Sequence, residues 1–140
     1  MEIYCPNCYY PNKVENKQCE KCFHSLELQD DNDNYERKLI KALSHKNQEV
    51  VQRAAGLLFN FKSWKSESAL IKTISETKDL FVKTAAISSL SITGAERSIP
   101  VFKKEASRGY LMPRLQAIEA IGLKGGFKEI KYLKKCLKIE

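Results

Sequence analysis

Residues 112–125 read MPRLQAIEAIGLKG, and this stretch indicates how the whole chain is organised. It aligns with residues 80–94, LFVKTAAISSLSITG, at a shift of 31 residues, and a second shift reaches residues 51–59. Small residues recur in one column, as two closely packed helices require, and large apolar residues recur one turn later. The columns are Val51, Val82 and Pro113; Ala55, Ala86 and Ala117; and Phe59, Leu90 and Ile121. A fixed period within about 20–50 residues predicts a solenoid of repeated units.

The same period organises the segments between these motifs. Apolar residues recur at i, i+1 and i+4, which predicts one buried stripe on each helix. The first of these columns holds Leu39, Leu70, Val101 and Tyr132. Each unit should therefore contain a first helix, a turn and a second helix. First helices are predicted at about residues 35–46, 67–77, 97–107 and 128–139, and second helices at about 49–61, 80–93 and 111–123. The predicted fold is mostly α, a solenoid of three helix pairs and a final helix.

Five single residues carry more local predictions. Asp79 is placed to cap the second helix of its repeat, and Gly94 to end that helix with a left-handed backbone. Trp64, in the turn after the first pair, is predicted to anchor against the next helix. Cys136 occupies an apolar column and is predicted to be a buried, inert thiol. His45 lies near a helix end, where it is expected to bond the last carbonyls.

The N-terminal segment carries four cysteines in two pairs. Ten residues separate Cys5-x2-Cys8 from Cys19-x2-Cys22. Two thiolates on one tight turn can reach a single ion, and two such turns close a tetrahedral site, so the spacing predicts one structural zinc ion. Because four thiolates complete the site, His24 is not expected to be a ligand. A segment of fewer than about 30 residues buries little core, so the metal should supply its folding energy.

The cysteine pattern, followed by a short hydrophobic tail at Leu26 and Leu28, resembles the zinc-ribbon family found at the termini of many prokaryotic proteins. That family carries glycine after the second and fourth cysteines. Here Tyr9 and Phe23 stand in those places, so the two turns are expected to differ in backbone conformation. Together with Tyr10, these aromatic side chains could stack on nucleic-acid bases. Covering a small zinc core is the favoured role.

The chain is predicted to contain two modules joined by a linker. Residues 1–28 form the small β-type zinc ribbon and residues 35–140 form the solenoid. Residues 29–34, QDDNDN, are polar and acidic, as is typical of a linker. Asp33 or Asn34 is expected to cap the helix that follows.

The repeat motifs PRLQAIEAIG, VKTAAISSLS and VQRAAGLLFN resemble the HEAT-repeat family. The resemblance is to its short bacterial units, the PBS-lyase HEAT-like repeats, whose pattern runs V-R-x-x-A-x-x-A-L-G. It covers residues 35–140 and implies an α-solenoid that binds partners, usually proteins and sometimes nucleic acid. A few relatives attach bilin pigments to proteins, but no activity-specific motif of those enzymes occurs in this chain.

Composition and charge restrict the class of protein. No apolar run approaches the ~18 residues of a membrane span, and the N-terminus MEIYCPNC does not resemble a signal peptide. Paired cysteines in a reducing compartment indicate metal binding, so a cytoplasmic protein is expected. Residues 1–28 hold three Lys against four Glu, a net −1, and residues 29–140 hold 21 Lys and Arg against 13 Asp and Glu, a net +8. The basic solenoid suggests an acidic partner.

Two columns of the repeat concentrate this charge. One contains Lys41, Lys72, Lys103 and Lys134, one lysine in each first helix. A solvated outer face is its favoured role, and a stripe that follows phosphates is the alternative. The other column contains Gln52, Lys83 and Arg114, with Arg53 beside the first. The resemblance implies that this column faces a partner on the concave side. Alternatively, Lys83 and Arg114 pair with acidic residues of neighbouring repeats, such as Asp79.

These observations favour a binding protein over an enzyme. Neither histidine has an evident Ser, Cys or carboxylate constellation around it, so no catalytic set is predicted. The chain is expected to be a non-enzymatic adaptor, with a solenoid that binds an acidic protein and a zinc ribbon as second module. Nucleic-acid binding through the basic columns is the alternative, and a bilin-lyase-like activity is the least favoured interpretation.

Overall fold

A computed structural model describes residues 2–26, 32–108 and 110–137. In this part of the chain a small antiparallel sheet precedes a series of helices. The strands are β1 (Glu2–Tyr4) and β2 (Pro11–Lys13). The helices are α1 (Asn32–Ala42), α2 (Gln48–Leu58), α3 (Glu67–Glu76), α4 (Leu80–Thr93), α5 (Ile99–Ala106), α6 (Leu111–Gly125) and α7 (Ile130–Cys136). Among the helices described, none combines the length and apolar composition needed to cross a membrane.

The helices stack as the 31-residue period predicts. The pairs are α1 with α2, α3 with α4 and α5 with α6, and the second helices α2, α4 and α6 also pack side by side. Ala55, Ala86 and Ala117 are completely buried, which lets neighbouring backbones approach closely. The Ser89 hydroxyl of α4 donates a hydrogen bond to the Ala55 carbonyl oxygen of α2. The mostly α solenoid, preceded by a small β element, is thus confirmed.

The period changes by one residue in the third repeat. Leu39 and Leu70 are completely buried, as their column predicts, but Val101 is only half-buried and Phe102 takes the core position. The cause is that α5 begins 32 residues after α3 rather than 31. Similarly, Phe59 is exposed, because α2 ends one residue earlier, at Leu58.

Helix ends confirm one local prediction and correct another. The Asp79 carboxylate accepts hydrogen bonds from the backbone N–H groups of Phe81 (2.8 Å) and Val82 (3.1 Å), so it caps α4. Gly94 has φ −76°, which any residue adopts, and its left-handed conformation was wrongly predicted. Its small size is needed instead, because an added Cβ would lie 2.6 Å from the Leu90 carbonyl oxygen and from Ser98 Oγ.

Four further expectations differ from the structure. Helix α1 begins at Asn32, so residues 32–34 belong to its first turn rather than to the linker; acidic residues are favoured in a first turn. Residues 27–31, which include Leu28, lie outside the described ranges. Trp64 is 73% exposed and does not anchor a helix, because it starts a short 3₁₀ turn at the surface. Cys136 is half-buried, since α7 packs on one side only. His45 Nδ1 accepts a hydrogen bond from the Asn47 N–H (3.0 Å) instead of bonding carbonyls.

Candidate metal centre and binding surfaces

The four N-terminal cysteines form one cluster. Their Sγ atoms all lie within 4.8 Å of one another, and the distances Cys5–Cys22 and Cys8–Cys19 are 3.5 Å. Tetrahedral coordination at about 2.3 Å per bond places sulfur atoms about 3.8 Å apart, so these positions fit a single ion. The β1–β2 hairpin and the isolated Gln18–Ser25 bridge hold the two turns together. We call residues 2–26 the cysteine module; its four thiols can hold a metal ion.

Amide groups surround the sulfur atoms. The backbone N–H groups of Asn7 and Lys21 lie 3.4 Å from Cys5 Sγ and Cys19 Sγ. The buried Asn12 side chain donates to Cys19 Sγ (3.6 Å) and to the Tyr10 carbonyl oxygen (2.7 Å). Hydrogen bonds of this kind favour the thiolate form, which is the form that binds metal. Sequence reasoning missed Asn7 and Asn12, because amides near cysteines carry no distinctive spacing.

The thiols do not ionise equally without a cation. Burial raises the pKa of Cys8 to about 12. At Cys19 burial also opposes ionisation, but the backbone N–H groups of Cys22 and Lys21 outweigh it and lower the pKa to about 6. Four adjacent thiols cannot all lose their protons unless positive charge compensates them, and a bound divalent cation supplies that charge.

Both cysteine turns have the same left-handed backbone. Tyr9 has φ 57° and Phe23 has φ 58°, the conformation that glycine adopts most readily. The expectation that these turns differ from the glycine-containing pattern is therefore wrong. The two side chains have different surroundings: Tyr9 is 7% exposed and packs in the core, whereas Phe23 is 74% exposed.

Replacing Phe23 with glycine is expected to raise the free energy of unfolding by about 1 kcal/mol, because glycine relieves the left-handed strain and little packing is lost. Chemical denaturation of the metal-loaded protein measures the change. Tyr9→Gly is the matched control, since it relieves the same strain but removes a buried ring, and it should destabilise the protein. Destabilisation of equal size by both variants would contradict this account of Phe23.

Tyr9 joins the cysteine module to the solenoid. Its hydroxyl donates to the Lys38 carbonyl oxygen in α1 (3.0 Å), and its own carbonyl oxygen accepts from Arg53 Nη1 in α2 (3.1 Å). The ring packs in the cluster that contains Leu39. Tyr9 thus covers core, as favoured from the sequence. Arg53, predicted to contact a partner, binds the cysteine module with its guanidinium.

The second-helix charge column is not a continuous surface. Lys83 is only 5% exposed, and its ammonium lies 3.3 Å from Glu105 of α5. The prediction that Lys83 faces a partner is therefore corrected, because an ion pair between repeats buries it. Its carboxylate partner is Glu105, not Asp79. Gln52 is exposed and Arg114 is half-exposed, so these two remain accessible at the ends of the column.

The lysine column is interrupted as well. Lys41, Lys72 and Lys134 are exposed. Lys103 is half-buried, 2.7 Å from the Glu129 carboxylate and 5.0 Å from the centre of the Tyr132 ring. The third repeat thus neutralises its lysine, and an unbroken basic stripe along the first helices does not form.

A second surface went unrecognised in the sequence. Large apolar side chains are exposed at the start of α4 and α6, where Phe81 is 69% and Met112 is 59% exposed. These two residues are 31 apart, and so are Leu80 and Leu111. We call this set the apolar strip: Leu80, Phe81, Tyr110, Leu111, Met112 and Leu115. The signal was present, because Leu80 and Phe81 lie off the stripe that buries Val82 and Ala86.

The fold and these sites define a class of protein, a helical-repeat scaffold with exposed binding surfaces and a four-thiol metal module. The sequence profile of the family described as HEAT repeats matches residues 36–122, more than half of the 140 residues. The chain belongs to the HEAT-repeat family. HEAT repeats are commonly scaffolds for protein–protein interaction. Neither the curated proteins nor the solved structures contain a match to it.

Proposed function

We propose that this protein is a non-enzymatic adaptor that binds a partner protein through the apolar strip. The observation that carries the proposal is the exposure of large apolar side chains at equivalent positions of two successive repeats, Leu80 with Leu111 and Phe81 with Met112. Burying one such side chain against a partner contributes about 1.5–3 kcal/mol. Adjacent helices that present these residues in parallel suit the apolar face of a partner helix.

The partner is proposed to carry acidic residues beside its apolar face. Arg114 lies between Met112 and Leu115 in α6 and is half-exposed, and Lys78 is exposed next to the start of α4. The net charge of +8 on residues 29–140 points the same way. Charges at the rim of an interface steer association, whereas the apolar contacts supply most of the affinity.

The cysteine module is proposed to hold one structural zinc ion. Four sulfur ligands favour zinc, and a complete set without an open position favours a structural role. We propose that residues 1–28 form this module and that the solenoid follows a linker shortened by the early start of α1. The motif PRLQAIEAIG supports placing the repeats in the PBS-lyase-like subgroup.

The double variant Phe81→Ser, Met112→Ser is expected to weaken partner binding at least about tenfold, because large side chains at the centre of an interface dominate its affinity. Zinc-loaded protein is used to recover the partner from cell extract, before and after nuclease treatment, and the affinity for the recovered protein is then measured.

Trp64→Ser is the matched control, since Trp64 is as exposed as Phe81 but lies in the turn before α3. It should bind as the unmodified protein does. If the double variant also bound normally, the apolar strip would not be the interface. If nuclease treatment removed all captured protein, the adaptor function would be wrong.

A further inference from the structure

A cleft separates the cysteine module from the first helix. Its volume is about 530 Å³, within the range of small-molecule sites. We call it the module–helix cleft; the residues that matter here are Asn7, Tyr9, His24, Lys38, Lys41 and His45. It therefore collects both histidines of the chain and two exposed lysines from one face of α1. This site is distinct from the apolar strip, which lies on the second helices.

The cleft is positively charged. Lys38 and Lys41 are three residues apart, so both ammonium groups lie on one side of α1. Within the described ranges no carboxylate lines the cleft. A groove of similar size, about 480 Å³, lies between the first two repeats, but there Lys72 and Lys78 are balanced by Glu76 and Asp79. Only the module–helix cleft thus combines a concave shape with uncompensated positive charge among the described grooves.

A hydrogen-bond donor is fixed beside these charges. His45 Nδ1 accepts from the Asn47 N–H (3.0 Å), so this nitrogen carries no proton. The proton of the neutral ring is therefore on Nε2, which remains a donor for a ligand oxygen. Lysine and imidazole N–H groups in one concave site suit phosphate oxygens.

Phe23 adds an aromatic surface next to the cleft. It follows Cys22 and precedes His24, which lines the cleft, and it is 74% exposed. Its left-handed backbone (φ 58°) is unfavourable for a side chain of this size, and its ring gains little burial within the chain. A strained conformation that packing does not explain points to a functional role.

We propose that the module–helix cleft binds a short stretch of single-stranded nucleic acid, with phosphates against Lys38 and Lys41 and a base stacked on Phe23. Aromatic stacking combined with lysine contacts to the backbone is how single strands are bound without sequence preference. The cleft is large enough for about one nucleotide, and neighbouring nucleotides would continue along the exposed surface of the cysteine module.

The test measures binding of a fluorescent ten-residue oligothymidylate to the metal-loaded full chain at several salt concentrations. The double variant Lys38→Glu, Lys41→Glu should bind at least about tenfold more weakly and lower the slope of log K against log salt by about 1.4, the value for two phosphate contacts on a single strand. Phe23→Gly should weaken binding about fivefold or more and leave the slope unchanged, because it removes stacking and not charge.

Lys72→Glu, Lys78→Glu is the matched control, since it makes the same change of charge in the groove between repeats. Its binding should fall by less than about threefold. Equal losses in both lysine pairs would overturn the proposal in favour of diffuse attraction by net charge, and so would unchanged binding by Phe23→Gly. The glycine variant is expected to keep its fold, so its loss of binding could not be attributed to unfolding. Oligothymidylate binding is independent of the apolar strip, and Phe81→Ser, Met112→Ser should bind it normally.

Discussion

Replacing Glu67 with glutamine is expected to lower the free energy of unfolding by about 3 kcal/mol. The carboxylate is buried at the start of α3 and accepts from Arg97 Nε (2.9 and 3.0 Å), Arg97 Nη2 and Ser98 Oγ (2.9 Å). These contacts connect the second and third repeats. The hydrogen bonds from Arg97 lower the pKa of Glu67 to about 2. Glutamine keeps the shape but loses the charge, and it places an amide against the guanidinium.

The repeat itself supplies the control for this experiment. Glu36 lies 31 residues before Glu67 and is also buried, but its Oε1 atom has no hydrogen-bond partner in the described part of the chain. Glu36→Gln removes a poorly compensated buried charge, so the free energy of unfolding should stay the same or rise. Urea denaturation of both variants measures the two changes. Equal losses would show that burial in this column, and not the pairing with Arg97, determines stability.

The pH dependence of stability gives a second measure of the same pair. The pKa of Glu67 is about 2 in the folded chain and 4.5 without the fold, so the carboxylate stabilises the protein fully above about pH 4.5. That contribution is lost as the pH falls from 4.5 towards 2. The difference in stability between the unmodified protein and Glu67→Gln should therefore shrink over this interval and not at neutral pH.

Removal of the metal is expected to unfold the cysteine module and destabilise the first repeat. The module has two strands of three residues and a core of Cys5, Cys19 and Leu26, which is too small to be stable alone. Zinc binding supplies about 10–16 kcal/mol in small four-ligand domains. Because Tyr9 packs in the solenoid core, its departure should expose Leu39 to solvent. Cys19→Ser or a strong chelator should thus lower the melting temperature of the whole protein as well.

Cys136→Ser is the matched control for metal removal, since Cys136 lies in α7, outside the cluster. It should retain one equivalent of zinc, whereas Cys19→Ser should lose it, as metal analysis of the purified proteins would report. Amide hydrogen exchange in α1 would show whether the first repeat loosens. Normal protection of α1 in the metal-free protein would contradict the role given to Tyr9.

The helix pairs could be predicted because the information is local and repeated. Ala55, Ala86 and Ala117 recur at a fixed spacing, and each copy supports the others. The metal cluster was equally accessible, since two C-x-x-C turns have few other structural uses. In both cases spacing along the chain determines geometry directly.

The candidate surfaces depend instead on contacts between distant residues. Lys83 belongs to a regular charge column, yet Glu105, on the neighbouring repeat, removes it from the surface. A column shows that residues share a face, but only the packing shows which face is exposed. The left-handed backbone at Phe23 was missed for a different reason, because the residue type gave the wrong expectation and the hydrogen bond from its N–H to the Cys19 carbonyl oxygen (2.9 Å) determines the turn.

The ring of Tyr9 also makes the stack directional. Repeat arrays tend to fray from whichever boundary is least protected, since each unit is held only by its neighbours. On one side a metal-supported turn covers the first repeat with a buried aromatic ring. On the other, α7 contains no buried residue and Leu137 is exposed. Opening should therefore advance from α7 towards α1, with the metal acting as a latch at the opposite boundary.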